Sequence, residues 1–235
     1  LMRSSAASDV YKRQDMKIGA LTIGQSPRND LIPEIEAFFK GAEIIQLGAL
    51  DGLSKEQIAD LAPSGDDEIL VSKLKDDSWA LMAESKIISL LQERTDELCR
   101  RGVSLIVLLC TGMFSKELVA SVPVIYPQKL LYSIVPILAG GRKLGIISPD
   151  PKQTEQNYER WQKVSDNIVV AALNPYDKSN APDKAAQYLK ENGAEVVVLD
   201  CMGFTIAIKE KMAELMGVPV ILPRTLVARV VGEML

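Results

Sequence analysis

The 235 residues, 47% of them hydrophobic, suit one large α/β unit or two small lobes with a sizeable core. A net charge of −4 and a pI near 5.1 argue against nucleic acid or an anionic membrane surface as partner, and no apolar run reaches the ~20 residues that span a bilayer. The absence of histidine excludes a Ser-His-Asp triad, a Cys-His pair and an imidazole base, and three scattered cysteines make neither a disulfide framework nor a zinc site.

Residues 1–15, LMRSSAASDVYKRQD, are polar and aperiodic and lack the apolar stretch of a signal peptide. The run SAASDVYKRQ looks like translated adapter sequence, so the natural start is expected at Met16, with a non-native or disordered tail before it. Residues 17–23 read as a buried strand, and Gly24-Gln25-Ser26-Pro27-Arg28 as the turn at its C-terminal end. A helix is expected over 30–40, closed by Gly41, followed by a short strand at 43–47. Ser54-Lys-Glu-Gln57 has capping-box spacing and opens a short helix that ends before Pro63. Residues 68–83 read as a hairpin turning at Asp76-Asp77, and a helix from 84 to 101 leads into a strand. The spacing then predicts a helix over 115–119, a strand at 122–125 and a helix over 130–138 interrupted or re-aimed at Pro136. Gly140-Gly141 marks a boundary, after which Lys143-Leu-Gly repeats Lys17-Ile-Gly and the alternation restarts. Helices are expected at 154–164, 183–191, 206–216 and 225–234, with strands at 168–173 and 218–222 and beneath the second cysteine.

One stretch occurs twice. Gly102-Val-Ser-Leu-Ile-Val-Leu-Leu-Cys110-Thr111-Gly112 and Gly193-Ala-Glu-Val-Val-Val-Leu-Asp-Cys201-Met202-Gly203 align without gaps, and Val-Pro-Val-Ile recurs at 122–125 and 218–221. Strands alternating with helices predict parallel sheets covered on both faces, hence two pseudo-symmetric, flavodoxin-like lobes over 16–139 and 140–235. The final helix is free to cross to the first lobe. Ligands bind at the carboxyl ends of such strands, so both cysteines should face one cleft between the lobes.

A cysteine at a strand end is usually a small buried hydrophobe, and duplication alone would copy an inert one. Strand end, glycine, then helix start is also where amides and the macrodipole lower a thiol pKa. Such a pair would outpace Cys99, a core residue by its pattern, in reaction with iodoacetamide near neutral pH. Two thiols across a cleft can invert a carbon beside a carboxylate, one taking the α-proton and the other delivering a proton to the opposite face. The Gly112 and Gly203 amides, Thr111, Ser26 and Arg28 are the expected donors to the developing charge, and Arg28 is expected near Thr111 as a carboxylate clamp. Asp200 should point to the opposite face of its strand from Cys201 and serve as a structural acceptor. Lys129 and Arg224, each just beyond a Val-Pro-Val-Ile run, are further candidate anion contacts.

The repeated strand–Cys–Gly pattern resembles the aspartate/glutamate racemase superfamily. Leu21-Thr-Ile-Gly-Gln-Ser-Pro-Arg28 with Cys110-Thr-Gly-Met and Cys201-Met-Gly-Phe is more narrowly similar to the AroM family within it, over essentially 16–235. The resemblance implies an isomerase of the racemase type that uses Cys110 and Cys201 without cofactor or metal. Gln25, Ser26, Arg28, Thr111, Gly112, Met202 and Gly203 would contact the substrate, a small carboxylate-bearing molecule. In the racemases the cysteines are commonly followed by Asn-Thr and Thr-Glu; here Thr111-Gly112 and Met202-Gly203 stand there, and Gln25-Ser26 replaces an Asp-Ser. Decarboxylation, cis–trans isomerisation through a nucleophilic Cys, or a binding or regulatory role on the same fold are the alternatives. A cytoplasmic location is expected, with a homodimer left open.

Overall fold

The computed structural model describes residues 16–177, 179 and 181–235; the expected tail at 1–15 lies outside the described residues. The first sheet is parallel, in the order β2 (Glu43–Gly48), β1 (Lys17–Thr22), β5 (Leu105–Leu108) and β6 (Val124–Ile125). The second, also parallel, runs β8 (Ile168–Ala172), β7 (Leu144–Ser148), β9 (Val196–Leu199) and β10 (Val220–Ile221). Both sheets thus have the same order, with the cysteine strand beside the first strand of each lobe. Burial on both faces explains why β5 (LIVL) and β9 (VVVL) are unbroken apolar runs.

The equivalence holds bond for bond. Ser104 N donates to Lys17 O at 2.7 Å as Glu195 N donates to Lys143 O at 2.9 Å. Leu109 N reaches Leu21 O at 2.7 Å, and Asp200 N reaches Ile147 O at 2.9 Å. Ile106 N binds Pro123 O and Val197 N binds Pro219 O, both at 2.9 Å, so the two Val-Pro-Val-Ile runs dock alike.

The helices are α1 (Ile32–Ile35), α2 (Lys55–Ala59), α3 (Glu84–Arg100), α4 (Pro127–Ala139), α5 (Thr154–Gln162), α6 (Asp183–Glu191), α7 (Ile206–Met216) and α8 (Pro223–Glu233). The capping box at Ser54 and Gln57 forms in full. In α3 the buried Ile87, Leu91, Thr95 and Leu98 make one stripe at helical spacing. The helix expected over 30–40 is instead α1 followed by a 3-10 turn, Glu36–Phe39, ending on left-handed Lys40 (φ 51°). Pro136 does not interrupt α4, which runs on to Ala139 and is closed by Gly140 N on Pro136 O. No helix forms over 115–119. Five residues are too few to nucleate one unaided, and their amides have side-chain acceptors: Glu84 for Ser115, the Tyr126 hydroxyl for Leu118 and Gln92 for Val119.

The break in the chain and the break in the packing do not coincide. Leu131, Val135 and Ala139 of α4, which the sequence reading assigns to the first lobe, pack with Leu144, Ile146, Trp161 and Val198 of the second. In return Val227, Ala228 and Val231 of α8 pack with Ile18, Ala20, Leu105 and Val107 of the first. Each lobe therefore covers the other's sheet with its last helix. The periodicity of 131, 135 and 139 says that this face is buried, not against which sheet.

Among the described residues, the first lobe alone carries an antiparallel hairpin, β3 (Ile69–Lys73) and β4 (Trp79–Ala83), turning at Asp77 (φ 66°). It spans the gap between the lobes: Ile69 N donates to Gln156 and Ile69 O accepts from Gln153 and Gln156, all from the second lobe. No described helix is long and apolar enough to cross a membrane.

Candidate functional site

The two cysteines make the same contact just beyond their strands. Cys110 Sγ accepts the Gly112 amide at 3.2 Å, and Cys201 Sγ accepts the Gly203 amide at 3.3 Å. A side chain at either glycine would collide with what lies over its loop. A Cβ on Gly112 would stand 2.2 Å from Leu70 Cδ2, and one on Gly203 would stand 2.5 Å from the Tyr176 hydroxyl. Leu70 of the hairpin thus roofs the first thiol loop, and Tyr176, beyond β8, roofs the second. The loops meet directly, since the Thr111 hydroxyl donates to the Asp200 carbonyl at 3.0 Å. Both thiols are buried.

Burial pushes the Cys110 thiol up to about 12, against the Gly112 amide, which pulls it down. Charge on Cys201 adds to the rise and Arg160 opposes it, so the two sulfurs sense each other. Cys201 is raised as well, first by burial, with the Gly203 amide, the Tyr176 hydroxyl and Arg28 working the other way. The hydroxyl of Tyr176 lies 3.9 Å from Cys201 Sγ. The expected depression of the thiol pKa values is therefore corrected. No helix follows Cys110, and near Cys201 desolvation outweighs the donors.

Arg28 is buried at 2% exposure, with its fork closed on Asp30: Nε and Nη2 each reach a carboxylate oxygen at 2.8 Å. Nη1 donates to Thr22, and the guanidinium lies 5.8 Å from the centre of the Tyr176 ring. It therefore faces the Cys201 side of the cleft rather than Thr111, where it was expected. Burial works to raise the Asp30 pKa, but the bonds from Arg28 outweigh it and hold the carboxyl below its usual range.

Arg224 is not a free anion contact. It is fully buried at the start of α8, donating to the carbonyls of Met202 (3.0 Å) and Gly203 (2.9 Å), to Asp30 O (3.0 Å) and to Glu34 (2.7 Å). Glu34 in turn accepts the Ile206 amide at the head of α7. A residue from one lobe's covering helix thus clamps the backbone just after Cys201. Lys129, the other candidate, pairs with Glu117 at the surface over the Tyr126 ring.

The remaining expected contacts are distributed unevenly. Ser26 is held by Asp51 through both its amide (2.8 Å) and its hydroxyl (2.5 Å). Gln25 accepts the Lys75 amide at the hairpin tip through its oxygen and lines the smaller cavity that reaches Arg28. Met202 is buried in the first lobe's core against α8, so it contributes packing. Asp200 accepts from the Trp161 indole at 2.7 Å through one oxygen, while its other oxygen has no partner. Cys99 packs at the edge of the hairpin-side core.

A cavity of about 380 Å³ opens beside the Cys201 loop, lined by Asp30, Lys73, Tyr176, Gly203 and Thr205 among others. A smaller one of about 170 Å³ adjoins it across Asp30 and Lys73 and reaches Arg28. Neither thiol lines these cavities, which form the mouth of the cleft. Behind the loops lie further buried groups that sequence reasoning missed. Arg160 binds Glu68 at 3.0 Å through Nη1 and leaves Nε unpartnered; Asn157 donates to Ser148 and leaves its oxygen free. Asp30, two residues after Arg28, and Tyr176, just past the end of β8, lie where strand-end positions could have signalled them. Nothing local marks Arg160. Among the described residues, no three His, Cys, Asp or Glu side chains come together as a metal-ion site.

The family model described as AroM protein matches residues 18–235. Among solved structures, glutamate racemase from Francisella tularensis, in complex with D-glutamate, has a TM-score of 0.62 at 15% identity, over 94% of this chain and 81% of that one. Aspartate racemase from Picrophilus torridus has a TM-score of 0.60 at 14% identity, over 93% and 94%. An arylmalonate decarboxylase has a TM-score of 0.53 at 12% identity, over 93% and 91%. At these identities the likeness is one of fold, the two-lobed α/β fold of the racemases. No curated protein matches the sequence.

Proposed function

The chain belongs to the AroM family, and from that premise we propose that it is a cofactor-independent racemase or isomerase of a small carboxylate-bearing molecule, with Cys110 and Cys201 as its two acid–base groups. The observation that carries this reading is the identity of the two thiol loops. Equivalent strands end on equivalent sulfurs, each bonded to the amide two residues on, and the loops touch through Thr111 and Asp200. One thiolate removes the proton from the substrate carbon, and the other thiol supplies a proton on the opposite face, so the roles exchange with the direction of reaction.

The binding group for the carboxylate is Arg28. Asp30 now occupies both arms of its fork. A substrate carboxylate enters by the mouth that Asp30 lines and takes over one or both bonds. Tyr176 stands over the Cys201 sulfur and against Arg28, in place to hold the substrate from that side. Three free thiols fit a reducing cytoplasm.

A second reading has its own support. Both thiols are buried and raised and the Arg28 fork is closed, which suits a small-molecule binding protein on a racemase-like fold. The shared fold of an arylmalonate decarboxylase keeps decarboxylation within the same test. Candidate carboxylic acids and malonates are incubated with the protein in D₂O and followed by NMR. Exchange at the α-position that is lost in the Cys110→Ala, Cys201→Ala double variant supports two-thiol proton transfer. Exchange that survives in the double variant overturns it. Binding without exchange or loss of CO₂ leaves the binding protein as the reading.

A further inference from the structure

The residues on either side of the two cysteines join the lobes. Aligning the repeat sets Thr111 against Met202, each directly after its cysteine, and Leu109 against Asp200, each directly before. The Thr111 hydroxyl crosses to the Asp200 carbonyl at 3.0 Å. Met202 crosses the other way and shares the first lobe's core with Leu109. The same positions of the repeat thus link the lobes twice, once through a hydrogen bond and once within an apolar core.

The two ends of the polar link are fastened unequally. Asp200 is a fixed post: its amide donates to Ile147 O in the sheet at 2.9 Å, and its carboxylate accepts the indole N–H of the fully buried Trp161 at 2.7 Å. Just beyond it, Arg224 holds the carbonyls of Met202 and Gly203. The Cys110 loop has no such clamp. Val-Pro-Val-Ile-Tyr-Pro-Gln ends at Gln128 and Val-Pro-Val-Ile-Leu-Pro-Arg at Arg224, so Gln128 stands where Arg224 does, and it bonds no carbonyl of the loop. Among the described residues, the Thr111 hydroxyl makes the only hydrogen bond from residues 110–113 to another part of the fold.

Inversion needs both sulfurs in place at once, one on each face of the carbon, whereas proton exchange by Cys201 alone makes no demand on the placement of Cys110. A displacement of about 1 Å at a reacting group costs on the order of 10²-fold. The bond that holds the Cys110 loop therefore bears on the step that uses both thiols far more than on the step that uses one. Building on the two-thiol reading of these loops, we propose that Thr111 is a positioning residue. Its hydroxyl, spent on the Asp200 carbonyl, fixes the Cys110 sulfur against the Cys201 sulfur instead of contacting substrate.

Thr111→Val keeps the shape of the side chain and removes the donor, and Thr111→Ser restores the donor. With an acid that the wild type inverts in D₂O, Thr111→Val should invert at least tenfold more slowly while α-proton exchange falls less than threefold, and Thr111→Ser should recover most of the inversion. Equal loss of inversion and exchange, or no loss of either, would overturn the proposal. Amide exchange followed by NMR gives a second readout that needs no turnover. In Thr111→Val the Gly112 amide should exchange at least tenfold faster, and the Gly203 amide, whose loop Arg224 holds, less than threefold faster. An unchanged Gly112 amide, or equal loosening at both glycines, would overturn the link. If no acid exchanges in the wild type, the two-thiol reading falls by itself, and the amide measurement alone decides whether Thr111 holds the loop.

Discussion

The loops after Cys110 and Cys201 share the amide–sulfur bond and a glycine beneath a covering side chain, yet their surroundings differ throughout. The Cys110 loop lies under an apolar side chain, Leu70, from a hairpin with no counterpart among the described residues of the second lobe. It has no helix after it, and the side chain at its clamp position, Gln128, is unbonded. The Cys201 loop lies under Tyr176, is followed by α7 capped by Thr205, and has its carbonyls fixed by Arg224. Arg28 favours the thiolate of Cys201, and Arg160 that of Cys110. Both halves of the repeat carry a strand-end thiol that accepts the amide two residues on. The difference is the covering: the Cys201 loop is held by polar side chains, and the Cys110 loop lies under an apolar one.

The largest test removes one member of the pair. Cys110→Ser or Cys201→Ser should each lower inversion of a turned-over substrate by about 10²–10⁴-fold, the usual worth of a positioned acid or base. Exchange from a single face should survive in one of them. Equal residual inversion in both singles and the double variant would show that the thiols are bystanders.

Next comes the clamp. Arg224→Met removes the buried partner of a part-buried ion pair and leaves the carbonyls after Cys201 unmet, so urea unfolding should show a loss of about 1–3 kcal/mol. Gln128→Met, at the equivalent place, should cost almost nothing. Similar losses at both positions would break the contrast drawn between the two loops.

The thiols should also set an alkaline limb. Their folded pKa values lie above the ordinary ~8.5, so the folded state holds these protons more tightly than the unfolded chain. That stability is full below about pH 8.5 and is lost as pH rises toward about 12, the value for Cys110. Turnover should climb over the same range as thiolate appears, and Cys110→Ala should flatten the alkaline loss of stability. At pH 7 the half-buried Cys99 should react with iodoacetamide faster than either buried thiol, the reverse of the order expected for a lowered pKa. Mass spectrometry of the alkylated peptides gives the order directly.

The smallest effect is expected from the roof over Cys201. Tyr176→Phe keeps the ring against Gly203 and Arg28 but removes the hydroxyl near the sulfur, so stability should change by less than about 1 kcal/mol. The Cys201 thiol should titrate higher, because the hydroxyl that favours its thiolate is gone, and the pH dependence of its alkylation shows it.

The sequence by itself determined the alternating strands and helices, the two equivalent cysteines and the loop glycines. These are local signals. An apolar run long enough for a buried strand, Ser54 with Gln57 as a cap, and Cys-x-Gly at a strand end each carry their meaning within a few residues. The repeat further implied two lobes of like topology, because copies of one pattern bury their faces in one way. Only the tertiary structure decided which sheet α4 and α8 cover, since helical periodicity marks a buried face without naming its partner. It also decided that Arg28 closes on Asp30, that Arg224 is a clamp and Gln128 an unmet amide, and that residues 115–119 stay unwound because side chains take their amides. Charge and hydrogen bonding at this site are set by groups that meet across the lobes, and their separation in the chain carries no sign of that meeting.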